Sequence, residues 1–495
     1  MHSQKKREIF AARRSDNPLG KSITNPCELF CYRQDVRKQY RISNLAIFKI
    51  PRWQSVFRLV LLSFAFLGHD AHADLFHYNN LLIGPRAAGL AGAYTALSED
   101  TSGLFYNPGG MSLQNSSELS ASVNTFYMKK NRFERVFGEK AFEESARGNL
   151  SSFFGFSKKV TPPLLGALHL GIAFVNPDAA LSDENTLIEN EPAPGVIRYH
   201  RAANIRSGTS QFLFGLSKRL GKETGAGCTG AYLDVDELEQ IYQDVVQGPY
   251  TYAESPETKI YTTLGQNVRM HLVARGGALR CGIRTSLGGG LKLGLSYQKA
   301  EIVLQRFEYD SEINKVFHDP NGNVINIENS DNESLKGRLL RNVTRTTQES
   351  FITRWPDEFR LGLAFQPSNN FLLSADLVRH GAGDGSISAV KRSEVYNSAV
   401  GFEWIIANTL LFRSGLFTNT DATASRDLSS PHQRKEFIDY KGVSVSTGLR
   451  LRSGEYALHY TEQRGSGRAE KVVGNTDSTS GKLQVLSISA SQSFQ

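Results

Sequence analysis

The sequence predicts an all-β fold: a closed transmembrane antiparallel up-and-down β-barrel of about fourteen strands. Three observations carry this. From about Ser117 onward, short segments alternate large apolar residues with small or polar ones at period two. The connections between them are themselves alternately tight and long, which gives a sheet two unlike rims. No apolar run reaches the roughly 18 residues that a spanning helix needs, so a helical membrane protein is excluded.

Residues 1–73 form the first element. The chain has 57 Lys and Arg against 49 Asp and Glu, but residues 1–73 hold 13 of the former and 5 of the latter. The remainder is therefore balanced at 44 of each, and attraction to nucleic acid has no support there. Arg52 and Arg58 precede the apolar stretch Leu59–Gly68, and Ala71–His72–Ala73 gives a small-x-small cleavage pattern. This predicts a secretory signal cut between Ala73 and Asp74, with residues 1–50 read as a start placed too far upstream or, alternatively, as a genuine long n-region.

Residues 74–112 form the second element, ahead of a barrel over 113–495. Small residues at Ala87, Ala88, Gly89, Ala91, Gly92 and Ala93 give a thin, slightly helical piece sized for a narrow lumen. Asn107–Pro108–Gly109–Gly110 is a turn that hands the chain to the first strand. Gly84, Gly89 and Gly92 have the wrong spacing for a dinucleotide fingerprint, and no Gly-Lys-Ser/Thr follows. The pieces Gly84–Pro85–Arg86–Ala87–Ala88–Gly89, Gly92–Ala93–Tyr94, Glu99–Asp100 with Ser102, and Phe105–Tyr106–Asn107–Pro108 resemble the N-terminal hatch of the FadL/TodX family of outer-membrane hydrophobic-compound transporters. Looser similarity covers nearly the whole mature chain, including Gly362–Leu363–Ala364–Phe365 and Leu373–Ser374–Ala375–Asp376. The family's usual Asn-Pro-Ala stands here as Asn107–Pro108–Gly109, a more pliable backbone.

The barrel strands follow. Phe359, Leu361, Leu363 and Phe365 alternate with Arg360, Gly362 and Ala364, and Leu486, Ile488 and Ala490 alternate with Ser487, Ser489 and Ser491. The same period runs through Leu168–Phe174, Phe212–Leu216, Leu291–Tyr297, Val400–Trp404, Val443–Leu451 and Tyr456–Tyr460. One face thus meets an apolar medium, while the other carries Gly, Ala and Ser with scattered His169, Arg360, Asp376, Glu403 and Arg413. Tight turns fall at Thr161–Pro162–Pro163, Gly221–Lys222–Glu223, Gly288–Gly289–Gly290, Pro367–Ser368–Asn369, Ala407–Asn408 and Ser453–Gly454. The polar stretches 129–149, 177–207, 236–267, 304–356, 380–394, 419–441 and 464–482 read as long loops. A soluble sandwich has no reason for so strict a rhythm. Closure also removes the unpaired edges that lipid cannot satisfy. Phe494 supplies the near-terminal aromatic that barrel-assembly machinery recognises, here followed by Gln495.

Within the loop 236–267, Leu238, Ile241, Tyr242 and Val245 recur at helical spacing and predict a rim helix that could offer a landing surface to ligand. Asp319–Pro320–Asn321–Gly322–Asn323 lacks the distant glutamate of a calcium loop and reads as a turn. Cys228 and Cys281 fall on separate predicted strands, and neither a bridge nor two free thiols is excluded. No serine-hydrolase elbow, zinc-peptidase motif or paired Cys-x-x-Cys occurs, so neither an enzyme nor a metal or cofactor is expected.

The resemblance implies an outer-membrane channel that passively admits a hydrophobic small molecule, a long-chain fatty acid or other hydrocarbon, past a hatch. Its setting would be outer-membrane lipid and lipopolysaccharide, with both termini periplasmic. Asn107 and Pro108 are the expected hatch anchor, in the motif that also includes Gly84, Arg86, Gly89, Gly92, Tyr94 and Gly109. Tyr94, Phe105 and Tyr106 are expected to anchor the hatch or touch ligand, and Phe76 to touch ligand. The alternative is a partner-docking barrel of a secretion or surface-attachment system.

Overall fold

The computed structural model describes residues 76–494 apart from 138–139, 163–166, 190–194, 253–254, 325–339, 384–390, 425–435 and 473–474. The basic leader and the Ala73–Asp74 junction lie outside the described residues. Fourteen antiparallel strands form a closed barrel, each beside its sequence neighbours, and β1 (Ser117–Phe137) seals against β14 (Asn475–Phe494). Between them run β2 (Lys140–Val160), β3 (Leu168–Ile188), β4 (Val196–Arg219), β5 (Thr224–Tyr252), β6 (Ser255–Gly288) and β7 (Leu291–His318). They are followed by β8 (Leu340–Ser368), β9 (Phe371–His380), β10 (Val395–Ile406), β11 (Leu410–Asn419), β12 (Glu436–Leu451) and β13 (Gly454–Val472).

The period-two pattern sorts side chains as predicted. Ile172, Phe214, Leu363, Val400, Leu416 and Ile488 are exposed on the outer surface. His169, Arg360, Asp376, Glu403 and Arg413 are buried on the inner one. So much large apolar surface facing outward, around a polar interior, is the inverse of a soluble fold and suits a bilayer. The predicted tight turns hold, with strands resuming after Arg219 at Thr224, after Gly288 at Leu291 and after Leu451 at Gly454.

The long loops are corrected. Strand pairing continues through most of 129–149, 236–267 and 464–482, with β5 and β6 paired from Thr224↔Thr285 to Tyr252↔Ser255. A crossing takes about 9–11 residues; β9 and β11 have 10 each, but β5 has 29 and β6 has 34. At about 3.3 Å per residue, β5 is some 60 Å longer than β9 or β11, and at a strand tilt of about 40° the wall there stands on the order of 50 Å taller. Beyond the membrane both faces meet water or protein, so the apolar alternation fades while the hydrogen-bond ladder persists. That is why these strands read as loops. The predicted rim helix is absent for the same reason: Leu238, Ile241, Tyr242 and Val245 all lie in β5, paired on both sides. Leu238 and Tyr242 point to one face and Ile241 and Val245 to the other. Above the membrane, Phe133, Tyr199 and Ala469 from β1, β4 and β13 pack together with Val245 against them.

Two local features matter below. Cys228 and Cys281 are directly opposed across β5 and β6 and form a disulfide, with Cα atoms 4.1 Å apart. Strand register, which the sequence does not state, decides that pairing. Secondly, β2 and β3 pair from Val160↔Leu168 up to Phe153↔Val175. Beyond that point, among the described residues, β2 pairs with β1 and β3 with β4. The break coincides with a bulge between Val175 and Asp178 that contains Pro177, which has no N–H for the ladder. Asp319–Asn323 is a turn, closed by Gly322 N donating to Asp319 O at 3.0 Å.

Candidate functional site

The site is built by the chain that precedes β1. Three short helical turns, α1 (Pro85–Gly89), α2 (Gly103–Tyr106) and α3 (Pro108–Met111), lie among the inward-facing residues of the barrel. The small residues of this segment are matched by glycines in the wall. A Cβ at Gly227 would stand 2.7 Å from Pro108 O, and one at Gly401 would stand 2.6 Å from Leu90 O. Gly294 and Gly362 leave room in the same way for Thr95 and Ala96.

Polar ties fix the segment in rotation and height. Asp376 Oδ2 accepts from Tyr94 N at 3.0 Å, Thr95 N at 2.9 Å and Thr95 Oγ1 at 2.6 Å. Asn107 Nδ2 donates to Thr95 O at 2.9 Å and to Ile283 O on β6 at 3.0 Å, while its Oδ1 caps α3 by accepting from Gly109 N at 3.1 Å. Arg86 grips Glu403 through two bonds of 2.9 and 2.8 Å, and Arg413, fully buried, donates to the same carboxylate at 2.6 Å and also pairs with Glu455. Arg284 reaches Ala96 O at 3.2 Å and pairs with Glu99. Burial raises the Tyr94 and Tyr106 phenols, the latter to about 12, so both stay neutral: Tyr94 donates to Asp100 Oδ2 at 2.9 Å, and the Tyr106 hydroxyl accepts from Ile83 N at 3.2 Å.

On the long-strand side of this segment lies an inward apolar cluster. Phe76 packs with Leu233 and Val235 of β5, Leu272 of β6 and Ile302 of β7, and Trp355 lies at the edge. The residues around Phe76 are tethered: its carbonyl accepts from Ala422 N at 2.9 Å, and Tyr78 N and Asn79 N both donate to Asn419 Oδ1, at 3.1 and 3.0 Å. A charged group lies near it. Arg280 and Arg360 share Glu358, at 2.5 Å each, with His380 3.6 Å away. Phe105 lies under the guanidinium groups of Arg280 and Arg360, at 5.4 and 5.8 Å, and Ser296 Oγ donates to Tyr106 O at 2.8 Å. Arg392 stacks on Trp355 at 3.9 Å, and Tyr78 stacks on His380 at 3.7 Å. Among the described residues, Arg392 Nε and His380 Nε2 are buried with no hydrogen-bond partner.

Phe76 therefore lies in one apolar cluster, while Phe105 and Tyr106 lie in another with Tyr94 and Leu104, under Arg280 and Arg360. Gly84, Arg86, Gly89, Gly92, Tyr94, Asn107, Pro108 and Gly109 lie in the segment beneath. Leu238, Ile241, Tyr242 and Val245 sit in the tall wall and do not join the cluster around Phe76. Phe494 pairs with Ser117 at the barrel seam, exposed outward. Sequence reasoning missed the inward apolar set on β5–β7 and the cations at 280 and 392. A signal for the former existed: Tyr232–Leu233, Leu272–Val273–Ala274 and Ile302–Val303–Leu304 are consecutive apolar residues that break the alternation, so both faces are apolar at one level.

No family model matches the chain, and no curated protein matches it in sequence. Solved structures do resemble it. A Pseudomonas aeruginosa FadL homologue matches with a TM-score of 0.54 at 13% identity, covering 86% of this chain and 100% of that one. The P. putida toluene transporter TodX matches with a TM-score of 0.53 at 14% identity, covering 85% and 100%. The Ralstonia pickettii toluene transporter TbuX matches with a TM-score of 0.51 at 11% identity, covering 83% and 98%. The chain has the fold of these FadL- and TodX-type channels.

Proposed function

We propose that this protein is an outer-membrane channel for passive uptake of hydrophobic molecules, with residues 74–112 acting as its hatch after cleavage between Ala73 and Asp74. The observation that carries this reading is the inward apolar cluster around Phe76, beside a tied-down segment in an otherwise polar lumen. Displacing Phe76 would bare inward apolar surface that is costly to leave wet, which favours an apolar guest. The neighbouring charges narrow the class. Arg280 and Arg360 share the carboxylate of Glu358, and Arg392, stacked on Trp355, has a buried Nε without a partner among the described residues. That surplus of cationic donors supports an amphiphile with an acidic head, a long-chain fatty acid, over a neutral aromatic hydrocarbon. The seam between β2 and β3 gives such a guest a sideways route into the membrane. With the short rim periplasmic, the tall strands β5 and β6 stand outside the cell.

A binding titration tests this. In a Trp404→Phe background, Trp355 fluorescence should change saturably with oleate and weakly with toluene, and Phe76→Ala should weaken oleate binding about tenfold or more. An absence of response to either ligand would refute the channel reading, and a preference for toluene would refute the acid-head assignment.

A further inference from the structure

The outer wall carries a concavity as distinctive as the lumen. Most outward side chains on β4, β6 and β7 are large: Leu216, Ile283 and Leu295 stand proud of the sheet. On β5 the corresponding positions are Ala226 and Cys228, and the latter is tied to Cys281 of β6. A cavity of about 640 Å³ results, with the disulfide and Ala226 as its floor and Leu168, Leu216, Ile283 and Leu295 as its sides. The next outward position of β5 is Gly230, above which a Cβ would meet nothing nearer than 4.0 Å, so the depression continues up the wall. The hollow crosses β3 to β7 at one level, and on β5 the three successive outward positions Ala226, Cys228 and Gly230 are all small, a span of about 14 Å.

One end of this hollow is charged. Lys218 lines it at the tight-turn rim, paired in register with Ala226 and Leu168. Lys158, two strands away, and Lys222, in the adjoining turn, are exposed along the same rim, with Glu223 the acid beside them. An apolar trough about three outward residues long that ends in exposed lysines is complementary to one kind of membrane component: an acyl chain attached to a phosphate that keeps its negative charge.

We propose that this trough is a specific site for an anionic phospholipid of the leaflet at the tight-turn rim, with an acyl chain along Ala226–Cys228–Gly230 and the phosphate at Lys218. The site rests on the membrane-barrel reading but is independent of what passes through the lumen. Native mass spectrometry of the mature protein tests it, using an equimolar mixture of phosphatidylglycerol and phosphatidylcholine with identical acyl chains. A single phosphatidylglycerol should be retained in preference, the preference falling about fivefold in Lys218→Gln, given about 1 kcal/mol per basic residue at a membrane surface. Ala226→Leu, a lipid-facing apolar change that fills the trough, should abolish retention of both lipids while the barrel keeps its heat-resistant gel mobility. Equal retention of the two lipids, or retention unchanged by Ala226→Leu, would overturn the site. Oleate binding in the lumen, read by Trp355 on the same variants, should be unaffected, so failure of the trough and failure of the channel reading are told apart.

Discussion

Asp376 offers the sharpest test of how the N-terminal segment is held. Its Oδ2 accepts three hydrogen bonds, two from the consecutive amides of Tyr94 and Thr95 and one from the Thr95 hydroxyl. Bonds to a charged acceptor contribute about 1.5–3 kcal/mol each, so the gross tie is on the order of 4–9 kcal/mol. Burying the carboxylate costs several kcal/mol in return. The net difference on replacing it with alanine is then about 2 kcal/mol, roughly a thirtyfold rise in local opening. Hydrogen–deuterium exchange on Asp376→Ala should show peptides covering residues 90–97 exchanging faster by about that factor. The strands, held by the closed ladder, should keep their protection. Asp376→Asn retains an acceptor oxygen and should lie between the two. Unchanged exchange over residues 90–97 would refute the tie, and equal loss of protection across the strands would show that Asp376 supports the barrel instead.

Three further outcomes are expected. Glu403→Gln leaves Arg86 and Arg413 as buried cations without their shared carboxylate, a change of about 3–5 kcal/mol; planar-bilayer recordings should show ion leakage that wild type lacks. Gly227→Val places side-chain atoms where Pro108 O lies, so α3 must shift, and the amides of residues 107–112 should lose protection while Gly230→Val, in open space, changes nothing there. Val400→Arg, at the middle of the outward face of β10, should lower stability by about 2–4 kcal/mol in a chemical-denaturation titration in lipid vesicles, whereas Ser398→Arg, nearer the strand end, should cost less.

The fold was legible because lipid imposes a strict rule. Where a strand faces hydrocarbon on one side and a polar lumen on the other, residues such as Leu361, Leu363 and Phe365 must alternate with Arg360, Gly362 and Ala364. The rule lapses at the membrane surface. There the same strands continue as Asp234–Val246 and Arg306–His318, held by the hydrogen-bond ladder and scattered contacts such as those of Val235 and Val245, and composition no longer announces the backbone. Helical spacing at Leu238, Ile241, Tyr242 and Val245 was therefore real but idle, overridden by pairing on both sides. The segment ahead of the barrel was legible as a thin, small-residue piece, and Asn107 was identifiable by its turn. Its partners were not. Asp376, Ile283 and Glu403 lie between 176 and 317 residues away along the chain from the groups they hold. Such contacts depend on register around a closed circle, which a linear pattern does not encode. The apolar cluster around Phe76 needed register too, since Leu233, Leu272 and Ile302 meet only because three strands align.

The wall glycines have a mechanical consequence. Gly227 and Gly401 receive Pro108 and Leu90 on different sides of the barrel, and Gly294 and Gly362 receive Thr95 and Ala96. The seats are spread over β5, β7, β8 and β10, so the segment engages the wall as a key engages wards. A rigid slide along the axis would drive every backbone carbonyl out of its glycine and into a neighbouring side chain at once. The segment therefore cannot work as a piston. On the channel reading proposed above, passage would begin by fraying at the end nearest the Phe76 cluster, where Phe76–Asn79 hang on Asn419 and Ala422, and leave the seated turns in place.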